Sequence, residues 1–308
     1  LSKKLKEQSY FYMHLKADLF ERYEMPETNK KWSNTFFEGA TDIEESIARF
    51  IDADKTKGIN AHHLGIGIFG KPGNGKTSAI KCILNQCREL QHPRHAVMVN
   101  FNNIENIEQL YDIFCGDQLT MHGKIPQNHR LYICEDFDCS TISASRASSD
   151  EDEINANALD YSNLLSDSLT SSTKEMLNNI IKDKMSNSIT LGDLLNIIDG
   201  AVECPGRILV MTSNYPEKID CALLRPGRID VCVNIKGARR EDIVKIVNCR
   251  FNSTIEEGDI PSEIADNFFS NAEISNICRM SDNFTEAIEK MKLAKKEHDK
   301  SLKEVERE

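Results

Sequence analysis

Residues 70–78 form a glycine-rich stretch whose pattern is typical of phosphate binding. The sequence Gly70-Lys71-Pro72-Gly73-Asn74-Gly75-Lys76-Thr77 fits G-x-x-x-x-G-K-[ST]. Glycines let the backbone approach a phosphate, and successive N–H groups at the start of a helix attract the anion. We expect Lys76 to contact the β- and γ-phosphates of a triphosphate and Thr77 to offer its hydroxyl to Mg²⁺. The predicted nucleotide-binding residues are Gly70, Lys71, Pro72, Gly73, Asn74, Gly75, Lys76, Thr77 and Ser78.

An ordinary glycine-rich turn is the alternative interpretation of this stretch, and the flanking residues argue against it. Residues 64–69 are a short apolar run of the kind that forms a buried strand. Residues 78–84 carry apolar side chains at helical spacing. A strand, a glycine loop and a helix in this order are the arrangement that phosphate binding requires.

Two acidic residues follow an apolar strand further along the chain. Residues 131–134 are apolar, and Glu135 and Asp136 come directly after them. This register places Glu135 where Mg²⁺ is held, directly or through water, and Asp136 where a carboxylate polarises the attacking water. A register shifted by one residue would give the metal role to Asp136 instead. Asn214, which follows the apolar run 207–213, is predicted to orient the same water by hydrogen bonding.

The elements that would position these side chains alternate between strands and helices. Apolar runs predict strands, and amphipathic spacing predicts helices between them. This alternation predicts a parallel sheet covered on both faces, in which ligands lie at the carboxyl ends of the strands. The predicted strands are residues 64–69, 95–101, 130–138, 207–214 and 231–235, and the predicted helices lie near 36–52, 78–84 and 107–114. The predicted site residues at or just past strand ends are Thr77, Glu135, Asp136 and Asn214.

Two arginines three positions apart follow Asn214 after a turn that contains Leu223 and Leu224. Here the chain strongly resembles AAA ATPases, whose second region of homology has an asparagine, a leucine-rich turn and two arginines at this spacing. The resemblance implies that the nucleotide is ATP with Mg²⁺. It also implies an α/β P-loop NTPase domain, with a three-layer parallel sheet, followed by a small α-helical lid domain. Arg225 and Arg228 would then be arginine fingers.

An arginine finger acts on the nucleotide of a neighbouring subunit. It stabilises the negative charge that spreads over the γ-phosphoryl oxygens during hydrolysis. The resemblance therefore implies a homo-oligomer with head-to-tail contacts that close into a ring of about six or seven subunits. The alternative is that Arg225 and Arg228 only form surface salt bridges.

A narrower resemblance is to the Bcs-type branch, the mitochondrial chaperone of the Rieske iron–sulfur protein and its relatives. Glu135-Asp136-Phe137-Asp138, residues 191–200 and Asn271-Ala272-Glu273-Ile274 carry it. The membrane anchor and the amino-terminal domain of that branch are not evident. Asn102-Asn103-Ile104 stands where unfolding AAA translocases have an aromatic pore loop, and Arg279 is the only nearby candidate for a second sensor arginine. A role on the Rieske protein is therefore not carried over.

Composition limits the classes of function. The chain has 308 residues, of which 40% are apolar and 28% charged, as in an ordinary globular protein. A net charge of −11 without a basic block argues against sequence-independent nucleic-acid binding. We expect no membrane segment, because no apolar run approaches about 20 residues, and no signal peptide. Ten cysteines without zinc or redox spacing indicate a reducing intracellular compartment, most simply the cytoplasm, or an organelle or membrane surface if an anchor precedes residue 1.

The sequence predicts four segments. Residues 1–35 are expected to be a helical or linker segment, and residues 36–237 an α/β ATPase domain. Within that domain, residues 139–189 are predicted to be an insertion with a partly disordered loop and helices, because acidic and serine-rich composition precedes helical periodicity. Residues 238–308 are predicted to be a helical lid domain, with helices near 243–251, 260–269, 274–280 and from 284 onward.

The function that these patterns favour is a ring-forming ATPase that hydrolyses ATP to remodel or move a protein substrate. The insertion lies where AAA proteins keep a second pore-facing loop, so we expect it to contact that substrate. One alternative is an ATPase of the clamp-loader or helicase-loader type, which the acidic balance disfavours. Another is a nucleotide switch without hydrolysis, because Asp136 is one methylene shorter than a glutamate at the water-activating position.

Overall fold

The computed structural model describes residues 9–16, 19–25, 27–53, 63–90, 92–116, 118–120, 123–140 and 189–305. Almost all of the insertion predicted at residues 139–189 lies outside these ranges, so its loop and helices stay predictions. Within the ranges given, no helix is both long enough and apolar enough to cross a bilayer.

Nine strands are found in the described ranges, and seven of them form one sheet. They are β1 (Tyr10–Lys16), β2 (Leu19–Glu24), β3 (His63–Phe69), β4 (His95–Met98), β5 (Gln118–Thr120), β6 (Gly123–Lys124), β7 (Arg130–Cys134), β8 (Arg207–Ser213) and β9 (Val231–Asn234). The order across the sheet is β2-β1-β4-β7-β8-β3-β9. β1, β4, β7 and β8 pair in parallel, each with the next, and β7 and β8 are buried along their whole length. The predicted α/β architecture is confirmed.

Seven α-helices are found in the same part of the chain. They are α1 (Ala40–Ala53), α2 (Lys76–Glu89), α3 (Ile107–Phe114), α4 (Leu191–Ile198), α5 (Arg240–Phe251), α6 (Asn271–Arg279) and α7 (Phe284–Val305). Short polar side chains start three of them: Asn106, Thr190 and Ser270 each accept a hydrogen bond from a backbone N–H in the first turn of α3, α4 and α6. The helices predicted near 36–52, 78–84, 107–114, 243–251, 274–280 and from 284 onward are confirmed.

Two compact units divide the chain. The first contains residues 1–25, 56–67 and 93–230, and the second contains residues 26–55, 68–92 and 231–308. In the first unit, Leu110 of α3 and Tyr132 of β7 belong to one buried apolar core. In the second unit, Ile274 of α6 and Met291 of α7 belong to another. Each unit therefore has an apolar core of its own.

The N-terminal segment is a β-hairpin, and the prediction of a helix there is wrong. β1 and β2 pair antiparallel with Phe11 opposite Tyr23. Aromatic residues favour strands, and Tyr12 and Phe20 are buried. The charged residues between the aromatics, such as Glu21, are on the exposed side of a strand. In the sequence this mixture of charge and aromatics resembles an amphipathic helix.

Residues 260–269 form turns and not the predicted helix. Ile260, Ile264 and Phe269 are nevertheless buried, so the apolar spacing is satisfied without helical hydrogen bonds. The guanidinium of Arg240 provides donors that a helix would otherwise supply. It donates to the carbonyl oxygens of Glu257, Ile260, Pro261 and Ile264.

Two arginines at the starts of β7 and β8 are completely buried. Arg130 and Arg207 expose 0% and 1% of their surface. Arg130 donates to the carbonyl of Ile113 in the last turn of α3, and Arg207 donates to the carbonyls of Ile197 and Ile198 at the end of α4. The C-terminal end of a helix is its negative end, so these guanidiniums are stabilised where they are buried.

Candidate active site

The glycine loop lies in the second unit, between β3 and α2. Gly70, Gly73 and Gly75 have φ angles of 139°, 83° and 110°, a region that favours glycine. A Cβ on Gly70 would lie 2.1 Å from the carbonyl oxygen of Ile235, so no larger residue fits there. Gly75 is the N-cap of α2, and the loop therefore leads into the positive end of that helix. This is the backbone form that an anion-binding loop requires.

Lys76 is the first residue of α2, and its side chain folds back over the loop. Its ammonium donates to the carbonyl oxygen of Gly70 over 2.6 Å and to that of Lys71 over 3.3 Å. Thr77 is exposed and Ser78 is half-buried. A cation and two hydroxyls therefore lie at the start of the helix, where we expected groups that contact phosphates and Mg²⁺.

Two asparagines hold the loop in place. The buried side chain of Asn74 donates to the carbonyl of Ile235 over 2.8 Å. The side-chain amide of Asn271, the first residue of α6, donates to the carbonyl of Asn74 over 3.0 Å. The backbone N–H of Ala272 donates to the carbonyl of Gly73 over 3.0 Å. Sequence reasoning noted residues 271–274 only for their family resemblance, and nothing in their types signals a contact 197 residues away.

A cavity of about 580 Å³ opens beside the glycine loop. Phe36, Phe37 and Ile246 give it apolar walls, and Arg250 and Arg279 add guanidiniums. Small-molecule sites are mostly apolar clefts of about 300–1,000 Å³ with a few polar groups. The volume of this cavity lies within that range. Arg279, the sensor candidate named above, lines it, whereas no pattern in the sequence pointed to Phe36.

The two acidic residues lie in the first unit, just after β7. Glu135 and Asp136 are exposed, and Asp136 has φ 49° and ψ 47°, a left-handed conformation uncommon for a residue with a side chain. The N–H of Asp136 donates to the Thr212 hydroxyl over 3.2 Å. The side-chain amide of Asn214 donates to Oδ1 of Asp136 over 3.0 Å. The structure thus joins two of the predicted catalytic residues directly.

Asp138 is a further member of this group that sequence reasoning did not select. Its side chain is buried, and its Oδ1 accepts a hydrogen bond from the backbone N–H of Asn214 over 3.0 Å. Burial raises the pKa of Asp138, but hydrogen bonds from Ser213, Asn214 and Cys139 outweigh burial and lower the pKa below its ordinary value. Asp138 therefore holds the backbone of the residue whose side chain contacts Asp136.

The two arginines of the second homology region differ in their surroundings. Arg225 is exposed. Arg228 is half-buried: its Nε lies 3.3 Å from Oδ2 of Asp199, and its Nη1 donates to the carbonyl of Ala222 over 2.8 Å. The backbone N–H of Arg228 donates to the carbonyl of Arg225 in a turn. The Arg228 side chain is therefore bound to its own chain, whereas that of Arg225 extends into solvent.

The donors predicted for Mg²⁺ are the Thr77 hydroxyl and the Glu135 carboxylate. Both residues are exposed, and both offer the hard oxygen ligands that Mg²⁺ prefers. Mg²⁺ takes one or two protein ligands and completes its shell with water and phosphate oxygens. A cluster of three or more His, Cys, Asp or Glu ligands is therefore not needed, and the described ranges contain none. Each of the two residues therefore offers a donor of the kind that Mg²⁺ takes.

The predicted site residues thus fall into two groups, one in each unit. The loop residues 70–78 form the group in the second unit. The group in the first unit is Glu135, Asp136, Asn214, Arg225 and Arg228. Within the latter, the structure brings Asp136 and Asn214 into contact.

Among known proteins, the chain is similar to an AAA family ATPase and to a mitochondrial chaperone. No family model matches it. It is 26% identical over 184 residues to an AAA family ATPase of Acanthamoeba polyphaga mimivirus, covering 60% of this chain and 86% of the viral protein. It is 28% identical over 254 residues to HYPER-SENSITIVITY-RELATED 4 of Arabidopsis thaliana, covering 77% of this chain and 38% of that protein. It is 38% identical over 77 residues to the mitochondrial chaperone bcs1 of Schizosaccharomyces pombe, covering 25% of this chain and 17% of the chaperone.

The extent of these matches differs. The alignment takes in most of the viral protein but less than half of the plant protein and about a sixth of the yeast chaperone.

Proposed function

Because the chain belongs to the AAA family of ATPases and is similar to its Bcs-type branch, we propose that it binds ATP with Mg²⁺ and hydrolyses it to ADP and phosphate. The glycine loop is the observation that carries this proposal. Three glycines at positive φ lead into the N-terminus of α2, and Lys76 folds over them. Few ligands other than a phosphate chain need this combination of N–H groups and a cation.

Binding uses the loop and the helix that follows it. The N–H groups of the loop and the positive end of α2 hold the β-phosphate, and Lys76 exchanges its carbonyl acceptors for β- and γ-phosphate oxygens. Thr77 and Glu135 would hold Mg²⁺, Glu135 directly or through water. The metal supplies positive charge that offsets the charge of the phosphates. The cavity lined by Phe36, Phe37 and Ile246 takes the adenosine.

Hydrolysis uses the contact between Asn214 and Asp136. The Asp136 carboxylate polarises the attacking water and accepts its proton, and the Asn214 amide orients both. Asp138 keeps Asn214 in place through the backbone of that residue. Asp136 has a shorter side chain than a glutamate. Its left-handed backbone changes the direction in which the carboxylate leaves the strand end, and this compensates in part for the shorter reach.

Arg225 and Arg228 act on the nucleotide of a neighbouring subunit in this proposal. The exposure of Arg225 supports it, since a finger has to reach beyond its own chain. The assembly is then a homo-oligomeric ring, and hydrolysis drives the remodelling or translocation of a protein. The relative named as a mitochondrial chaperone supports action on a protein substrate. Ten cysteines without zinc or redox spacing support a reducing intracellular compartment.

Phosphate release from ATP tests the proposal. We expect turnover by the wild-type chain and a loss of at least about a hundredfold in Lys76→Ala. Lys81→Ala is the matched control, because Lys81 is exposed on the same helix. Binding of a fluorescent ATP analogue, measured in parallel, separates lost affinity from lost chemistry. If the wild-type chain binds ATP and Mg²⁺ but does not hydrolyse the ATP, the chain is a nucleotide switch and not an enzyme.

A further inference from the structure

Two cysteines far apart in the sequence lie next to each other in the first unit. Cys115 caps the C-terminus of α3, and Cys204 lies shortly before β8. Their sulfur atoms are 3.8 Å apart, although 89 positions separate them in the chain. All ten cysteines lie in the described ranges, and all are thiols. The neighbours Cys115 and Cys204 are brought together by the fold and by no sequence motif.

The surroundings of this pair favour a thiolate. Arg130 and Arg207, the buried arginines at the starts of β7 and β8, both act on the pair electrostatically. The hydrogen bond with Cys115, helped by the two guanidiniums, outweighs burial and lowers the pKa of Cys204 to about 6. The same interaction raises the pKa of Cys115. These shifts favour Cys204 as the sulfur of the pair that loses its proton first.

Accessibility separates the roles of the two sulfurs. Cys204 exposes 4% of its surface, and Cys115 is half-buried. A bulky reagent cannot reach a thiolate that is almost completely buried, but a small neutral oxidant can. The neighbouring thiol is close enough to react with whatever forms on Cys204, since only a small movement separates 3.8 Å from a bond.

We propose that Cys115 and Cys204 are a modification site at which a peroxide forms a reversible disulfide. The Cys204 thiolate attacks one oxygen of hydrogen peroxide, the O–O bond breaks, and hydroxide leaves, giving a sulfenic acid. The Cys115 sulfur then attacks the Cys204 sulfur, the S–O bond breaks, and the Cys115 proton leaves with the oxygen as water. Two thiols and one peroxide thus give one disulfide and two waters, with two electrons passing from sulfur to oxygen. A small dithiol reverses the reaction.

The disulfide would link the end of α3 to the segment that leads into β8. β8 ends immediately before Asn214, and the segment between α4 and β8 begins with Asp199, the ion-pair partner of Arg228. Oxidation would therefore constrain the chain close to two residues of the proposed hydrolysis machinery. The disulfide itself forms without nucleotide, so its test does not depend on ATP hydrolysis.

Peptide mapping of the full chain after treatment with hydrogen peroxide tests the proposal. Unreacted thiols are alkylated, the chain is digested, and the peptides are analysed by mass spectrometry without reduction. We expect a crosslinked Cys115–Cys204 peptide whose mass is lower by two hydrogens, and we expect dithiothreitol to remove it. The crosslink should accumulate at least about ten times faster than oxidation of the exposed Cys221.

Variants distinguish the two roles. In Cys115→Ser, Cys204 should stop at a sulfenic acid, seen as the addition of one oxygen to the mass of its peptide. In Cys204→Ser, Cys115 should react no faster than Cys221. Cys221→Ser is the control and should form the crosslink as the wild type does. Circular dichroism confirms that each variant is folded, and an unfolded variant is replaced by Cys→Ala. If peroxide oxidises Cys139, Cys221, Cys232 and Cys249 first and no Cys115–Cys204 peptide is found in the folded wild type, the proposal is wrong.

Discussion

The side-chain amide of Asn214 donates a hydrogen bond of 3.0 Å to the carboxylate of Asp136. The contact joins the residue after β8 to the second residue after β7, two adjacent parallel strands in which Cys134 pairs with Met211. Both residues lie at the carboxyl end of the sheet, where ligands of parallel sheets bind. The amide therefore fixes the direction of the carboxylate that we propose polarises the attacking water.

The substitution Asn214→Ala should lower kcat for ATP hydrolysis about a hundredfold, because an unoriented carboxylate is a poor general base. The KM for ATP should change little, since Asn214 contacts no residue of the glycine loop in the proposed mechanism. Steady-state phosphate release over a range of ATP concentrations measures both. Asn196→Ala, on the exposed side of α4, is the control. An unchanged kcat would remove Asn214 from the mechanism.

The substitutions Glu135→Gln and Asp136→Asn separate the two acidic roles. We expect Asp136→Asn to bind ATP and Mg²⁺ normally and to lose turnover by at least about a hundredfold. We expect Glu135→Gln to need a higher Mg²⁺ concentration, because an amide is a weaker ligand than a carboxylate. Magnesium titrations of turnover and of ATP binding measure the difference. The opposite pattern would establish the register in which Asp136 holds the metal.

The carboxylate of Asp138 should make stability depend on acidity. Its pKa is lowered from the ordinary 3.8 in the folded chain, so it stabilises the fold above that value, and the contribution is lost as pH falls through the lower folded pKa. Asp138→Asn should therefore have a lower Tm at neutral pH and a smaller decrease in Tm on acidification below about pH 4. Calorimetry across that range measures both.

The control for Asp138 is Asp282→Asn, which changes an exposed carboxylate. If Asp138→Asn and the wild type lose Tm in parallel on acidification, the buried carboxylate does not carry this part of the stability. The kcat of Asp138→Asn should also fall, because the backbone N–H of Asn214 would then donate to a neutral amide oxygen in place of a charged carboxylate.

The substitution Arg225→Ala should reduce turnover about a thousandfold if Arg225 is a finger acting between subunits. Mixing subunits tests the direction of action. Arg225→Ala supplies an intact glycine loop and Lys76→Ala supplies an intact finger, so their mixture should recover turnover that neither variant has alone. Light scattering confirms that the two variants assemble together. If the assembled mixture recovers no turnover, Arg225 acts within its own chain.

Arg228→Ala should differ from Arg225→Ala in stability. Arg228 pairs with Asp199 and bonds to the carbonyl of Ala222, so its loss should lower the free energy of unfolding by about 1 kcal/mol. Arg225 is exposed, and its loss should leave stability unchanged. Urea denaturation of both variants measures this contrast.

The sequence was sufficient where local chemistry determines structure. Buried parallel strands such as β7 and β8 are continuous apolar runs, and a glycine loop between a strand and a helix has one preferred use. The residues directly after those strands could be placed at one edge from topology alone. The expectations for Asp136 and Asn214 therefore led to a pair that the fold brings into contact.

The sequence did not predict the features whose structure depends on residues far away in the chain. The N-terminal hairpin is stabilised by pairing with β4, where Phe11 pairs with Ala96. Residues 260–269 avoid a helix because the Arg240 side chain satisfies their carbonyls. Asp138 looked like an acidic residue after a strand, and only its contact with Asn214 gives it a role. The proximity of Cys115 and Cys204 likewise depends on the packing of α3 beside the start of β8.

The hydrogen bond from the Asn271 amide to the Asn74 carbonyl links the glycine loop to α6. A peptide group is planar and trans, so the carbonyl of Asn74 and the N–H of Gly75 point in opposite directions. By holding that oxygen, the first residue of α6 aims the Gly75 N–H, one of the groups that we propose bind a phosphate. An anion that turns this peptide plane must therefore also pull on α6, and arrival or departure of a phosphate becomes a force on a helix almost two hundred residues downstream.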